Sequence, residues 1–161
     1  MKRNLLLLLL AIAVLIQFYP VDRSNPPAEG AMYMPDDIQE IFTRACNDCH
    51  TNETTWPWYS YIMPVSYWVA DHVEAGRGDL NFSKWEKYST KKKVHKLEEV
   101  KEVLEADVMP LWEYTLLHPS ANLSKEDRQK IYDWVETELS KLALNNAVKP
   151  GSSSDVQATT R

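Results

Sequence analysis

The chain has 161 residues and a formal charge of -5, with 18 basic against 23 acidic side chains. That length suits one compact domain with a core of its own and leaves little for a second. An acidic surface argues against nonspecific nucleic-acid binding and suits a partner with a basic docking face.

The N-terminus, "MKRNLLLLLLAIAVLIQFYP", places Lys2 and Arg3 before an apolar run from Leu5 to Tyr19. This is the pattern of an export signal. No cysteine follows the run, which excludes a bacterial lipoprotein anchor. As a helix, such a run spans about 22 Å, short of the roughly 30 Å hydrocarbon core. Lys2 and Arg3 at one interface, with Gln17, Phe18 and Tyr19 at the other, would make up the difference. The expectation is a periplasmic domain held at the inner membrane by residues 5–19. The alternative is a peptide cleaved near Ala28–Gly30. Residues 1–20 are thus signal or anchor, and residues 21–34, rich in Pro and charge without periodicity, are a linker.

The next signals are helical. Asp36 with Gln39 resembles a capping box, and Ile38, Ile41, Phe42 and Ala45 follow at helical spacing. That helix runs into "CNDCH", Cys46 to His50. Pro64 suits a first helical position and Gly76 a stop, with Val65, Trp68, Val69, His72 and Val73 on one face between them. Ser83 and Glu86 suggest a capped short helix through Trp85 and Tyr88. A longer helix is expected from about Thr90 to Ala106, then a short one after Met109–Pro110 that stops at His118–Pro119. The last begins at Ser124, capped with Asp127, and carries Ile131, Trp134, Val135, Leu139 and Leu142. No hairpin or βαβ pattern occurs, so the fold class is all-α. The folded domain is expected over residues 35–145, with 146–161 a polar, disordered tail.

"CNDCH" holds the only two cysteines. A disulfide across two residues of a helical turn is strained. A thioredoxin-like pair needs a βαβ setting, and a structural zinc needs four ligands; neither condition is met. An exported C-x-x-C-H is the signature of c-type haem attachment. Cys46 and Cys49 would form the thioethers and His50 the axial ligand of one haem c.

For the other axial position Met109 is the first candidate, standing before Pro110 in a non-helical segment. His72, on an apolar helix face, is the main competitor, with Met63 and His118 behind it. Arg77 is a candidate partner for a haem propionate. Trp58 and Tyr59, beside Trp56 in "TTWPWYS", are candidates for the wall of the haem edge. Each has a plainer reading, as a core or surface side chain.

Together these residues resemble class I cytochromes c: a helix ending in the attachment motif, a late methionine and a final amphipathic helix. The resemblance implies a small helical domain wrapped around one covalently attached haem. It further implies that Phe42 packs against Tyr132 or Trp134 of the last helix. More closely, "CNDCH", "PWYS", "MPVSYWVADHVEAGRGDLNFSKW", "VMPLWEY" and "HPSANLSKEDRQKIYDWV" resemble the haem-binding-domain family of exported bacterial proteins. That resemblance implies an electron-transfer protein, not an enzyme, ligated by His50 and Met109 and serving redox partner proteins. The Trp-rich segment after His50, and the lack of a Gly-rich stretch before Met109, depart from the class I pattern. The rival readings are a peroxidase-like haem enzyme and a haem-based gas or redox sensor, with an open or His72-ligated iron.

Overall fold

The computed structural model describes residues 1–148, and among them it contains helices and turns but no strand. The α-helices are α1 (Lys2–Leu15), α2 (Asp36–Ala45), α3 (Asn47–His50), α4 (Val65–Asp79), α5 (Thr90–Glu105), α6 (Trp112–Leu117) and α7 (Lys125–Val148). Short 3-10 turns at Ile16–Phe18, Trp58–Tyr61, Phe82–Lys87 and Pro119–Ala121 lie between them. The all-α expectation holds. Of the expected tail, residues 149–161 lie outside the described residues, and α7 runs on to Val148.

The core forms where α2, α5 and α7 meet. Phe42 of α2 is buried, with its ring 5.2 Å from Trp134 of α7 and 5.2 Å from Phe82, edge-on in both cases. Such aromatic pairs add about 0.5–1.5 kcal/mol to the burial of their surface. Leu97 and Leu104 of α5 join Ile131 and Val135 of α7 in the same core. Of the two aromatics expected opposite Phe42, it is Trp134 that meets it. Tyr132 lies instead beneath the Lys101 ammonium, 5.9 Å away.

Helix starts differ from expectation where a side chain found a better partner. Ser124 and Asp127 do form the reciprocal box, at 3.0 and 2.9 Å. Asp36 does not cap: Pro35 holds the cap position, and the Gln39 amide bonds Thr43 instead. Asp36 and Asp37 still favour α2 as first-turn acids facing the helix dipole. The turn at Phe82–Lys87 is capped by the Asn81 side chain, not by Ser83. At α5 it is Ser89 that accepts from the Lys92 amide.

Two further findings revise the outline. Gly76 does not stop α4, which continues through it to Asp79. Nor is the segment 21–34 a free spacer. Met32 and Met34 are buried in the core, and Glu29, Gly30 and Met32 bond backbone to backbone with the Phe82–Lys87 turn. A segment with no periodicity can still be ordered when a neighbouring element satisfies its backbone groups. Helix α1 contributes no buried residue. Among the described residues, no helix is long and apolar enough to cross a membrane.

Candidate functional site

The site begins with a local hydrogen-bond pattern. The amides of Cys49 and His50 both return to the Cys46 carbonyl, at 3.2 and 3.0 Å, and Thr51 returns to Asn47. The five residues of "CNDCH" are therefore wound into a helical turn. Residues three and four apart on a helix are neighbours on one face, so Cys49 and His50 both lie within one turn of Cys46. Two cavities nonetheless meet at this turn. Cys46 and His50 line one of about 250 Å³ together with Met109. Cys49 lines a smaller one of about 90 Å³ with Tyr59, His72 and Tyr114.

His50 is held from behind. Its Nδ1 lies 3.1 Å from the Gly76 carbonyl and 3.0 Å from the Leu80 carbonyl. Carbonyl oxygens only accept, so Nδ1 carries the proton and Nε2 the lone pair. This is the arrangement in which a histidine serves as a metal ligand, its tautomer fixed by a backbone acceptor. Among the described residues Nε2 has no hydrogen-bond partner.

Gly76 makes that contact possible. A Cβ built there would stand 2.8 Å from the Cys49 carbonyl oxygen and 3.1 Å from the Cys49 Cβ. Any side chain would push α4 off the Cys46–His50 turn and take the Gly76 carbonyl away from His50. Gly76→Ala should therefore cost about 1–3 kcal/mol of stability by overpacking and lower haem incorporation. Gly78→Ala, which meets nothing within 4 Å, should be neutral or stabilising by up to about 1 kcal/mol. Denaturant unfolding of the two variants side by side checks this. Equal effects would contradict the close-approach role.

The thiols are unpaired, and no disulfide joins them. Desolvation pushes Cys46 up to about 12, with a smaller push from Cys49. It pushes Cys49 up to about 11, helped by the Asp48 carboxylate. Asp48, inside the motif, is itself anchored. Tyr114 donates its hydroxyl to Oδ2 at 2.7 Å, and the Thr55 amide donates to Oδ1 at 2.8 Å. Burial and this bond move the Tyr114 phenol well above its ordinary value. Asp48 thus fastens α3 to α6.

The other expected site residues are dispersed. Met109 is partly buried, packs against the core and shares the cavity of Cys46 and His50. His72 bonds the Trp68 carbonyl through Nδ1 at 2.8 Å, and its ring lies edge-on to Trp68 at 4.5 Å. It opens on the Cys49 cavity and is not among the residues lining the Met109 cavity. His118 bonds the Tyr114 carbonyl and stacks on that ring. Tyr59 walls the Cys49 cavity, while Trp58 is exposed, its ring edge-on to Tyr59.

Arg77 serves the fold. Its guanidinium donates to the carbonyls of Thr51 and Ser24 and to the side chains of Asn25 and Thr54, at 2.8–3.0 Å. These four bonds clamp the segment 21–34 onto the loop after His50 and use four of the five guanidinium N–H donors. Asn52, Asn81 and Ser83 continue the same polar seam beneath it.

The residues present fit a haem. A fixed imidazole, a thioether and an adjacent thiol open on one cavity whose walls are mostly apolar, among them Phe42, Leu80, Phe82 and Ile131. At about 250 Å³ the cavity is slightly smaller than ordinary small-molecule sites of roughly 300–1,000 Å³, so its walls must part on loading. Asp79, Glu99 and Glu102 also line it, and Lys96 pairs with two of these carboxylates. No curated protein and no solved structure matches the chain. The model of a family described as a haem-binding domain matches residues 11–137, most of the chain, and the protein belongs to that haem-binding-domain family.

Proposed function

We propose that this protein is an exported electron carrier with one c-type haem, attached through Cys46 and Cys49 and ligated by His50 and Met109. The observation that carries this reading is the shared cavity. His50, with its proton committed to the Gly76 and Leu80 carbonyls, and Met109 both line it. The haem would supply a one-electron Fe(III)/Fe(II) couple. Cys46 and Cys49 would each add S–H across one vinyl group, forming a carbon–sulfur bond and placing the hydrogen on the neighbouring carbon. Nε2 of His50 would present its lone pair as the proximal ligand. The Met109 thioether, a soft donor, favours the reduced iron and raises the potential. Phe42, Leu80, Phe82 and Ile131 would give the haem an apolar contact surface.

With His50 and Met109 both holding the iron, the carrier would need no bound substrate and would leave no open iron. The enzyme and sensor readings require one. Exposing the reduced, haem-loaded protein to carbon monoxide separates them: the carrier's spectrum should remain unchanged over minutes. Rapid, stoichiometric carbon monoxide binding would overturn the carrier reading and favour the other two. In this reading, residues 1–20 export the domain and hold it at the periplasmic face of the inner membrane. The acidic side chains then suit a redox partner with a basic docking face.

A further inference from the structure

Exposed large apolar side chains occur in several segments outside α1, among them Trp112, Leu116 and Leu117, and one segment gathers six of them. Trp58, Tyr61, Ile62, Val65, Tyr67 and Trp68 are all exposed, within one stretch of eleven residues. Exposed aromatic and aliphatic side chains gathered in one segment point to an interaction site. What covers it is indicated by where α1 ends. The Tyr19 ring lies 6.3 Å from the Tyr67 ring, and Gln17 exchanges hydrogen bonds with the Met63 backbone amide and carbonyl. The Arg23 guanidinium sits over the Tyr61 ring at 4.7 Å and donates to the Ser60 carbonyl.

The length of α1 then sets the height of this surface. Its 14 residues span about 21 Å, against a hydrocarbon core of roughly 30 Å. A run this short reaches across only if its flanking residues sit at the two interfaces, Lys2 and Arg3 at one and Phe18 and Tyr19 at the other. Whatever touches Tyr19 and Gln17 must then lie at headgroup level as well. Tryptophan and tyrosine beside an arginine is the composition that favours that layer. We propose that residues 58–68 form a membrane-docking face, which lays the haem domain on the bilayer surface. This proposal rests on the anchoring of residues 1–20, and its test separates the two.

The haem-loaded full chain would be reconstituted into phosphatidylcholine vesicles and floated on a density gradient. It would then be footprinted with hydroxyl radicals and read by mass spectrometry. Tyr33 is the internal reference, because it is 87% exposed against 75% for Trp58 and lies outside the patch. Docking predicts that Trp58, Tyr61, Tyr67 and Trp68 are oxidised at least fivefold more slowly than Tyr33, at every protein-to-lipid ratio. A chain that floats while these residues react in proportion to their exposure would overturn the docking face but leave the anchor intact. Protection that vanishes on dilution in the membrane would overturn it in favour of contact with a second copy. A chain that does not float would overturn both.

Discussion

Replacing Cys46 and Cys49 together with alanine should abolish covalent haem. Denatured on a gel, the double variant should show no haem-linked peroxidase stain, whereas the wild-type chain keeps its haem through acid–acetone extraction. Each single variant retains one thioether and so keeps its stain, at reduced yield. The effect exceeds that of other substitutions because nothing else fixes the macrocycle permanently. Without the thioethers only His50, Met109 and the apolar walls remain to hold it, and that binding is reversible. The substitution itself is mild for the fold. Neither cysteine belongs to the fully buried core, although Cys46 packs against it, and no disulfide is lost. Haem that resists extraction in the double variant would contradict the attachment, as would haem that leaves the wild type.

Met109→Ala should lower the reduction potential by on the order of 0.1 V or more, out of the roughly 0.8 V that axial ligation spans. Two causes act together. The soft sulfur that stabilises Fe(II) is lost, and truncation leaves a gap through which water reaches the cavity. His72→Ala should shift the potential far less, because His72 opens on the Cys49 cavity and is absent from the lining of the one holding His50. Redox titration of both variants against wild type checks the order. A larger shift from His72→Ala would exchange their roles. Truncating this partly buried methionine should also cost up to about 2 kcal/mol, so its unfolding should be measured as well.

Much of this architecture was legible in the sequence. Apolar spacing placed α2, α5 and α7, because amphipathic helices announce themselves by period. The Ser124/Asp127 box was legible because both partners are local. What failed was what depends on distant partners. Gly76 looks like a stop, since glycine commonly ends helices. Only the approach of Cys49, 27 residues earlier in the chain (76 − 49), shows that it is there to let two backbones meet. An isolated glycine inside a helical pattern was the signal available, and close packing is its usual reason. Arg77 fits a propionate partner in one dimension. What its position in the sequence could not show is that four protein oxygens from two other segments also accept from it.

The candidate site divides in the same way. Cys46, Cys49 and His50 stand out in the sequence because attachment chemistry would need them adjacent. The pairing of His50 with Met109 was an expectation across 59 residues (109 − 50), and the cavity they share supports it. The Leu80 carbonyl behind His50 and the Asp48–Tyr114 bond carried no sequence signal, since a backbone acceptor has no residue type and Asp48 reads as an ordinary surface acid. Trp58 and Tyr59 were grouped by proximity in sequence, yet only Tyr59 borders a cavity.

Ligation of one haem iron by His50 and Met109 would show in the optical spectrum of the oxidised wild-type protein, followed to the red edge. There the weak sulfur-to-iron charge-transfer band reports methionine ligation. The band should be present in wild type and in His72→Ala and absent in Met109→Ala. A haem-loaded wild-type protein without the band, or a band that survives in Met109→Ala, would contradict that ligation.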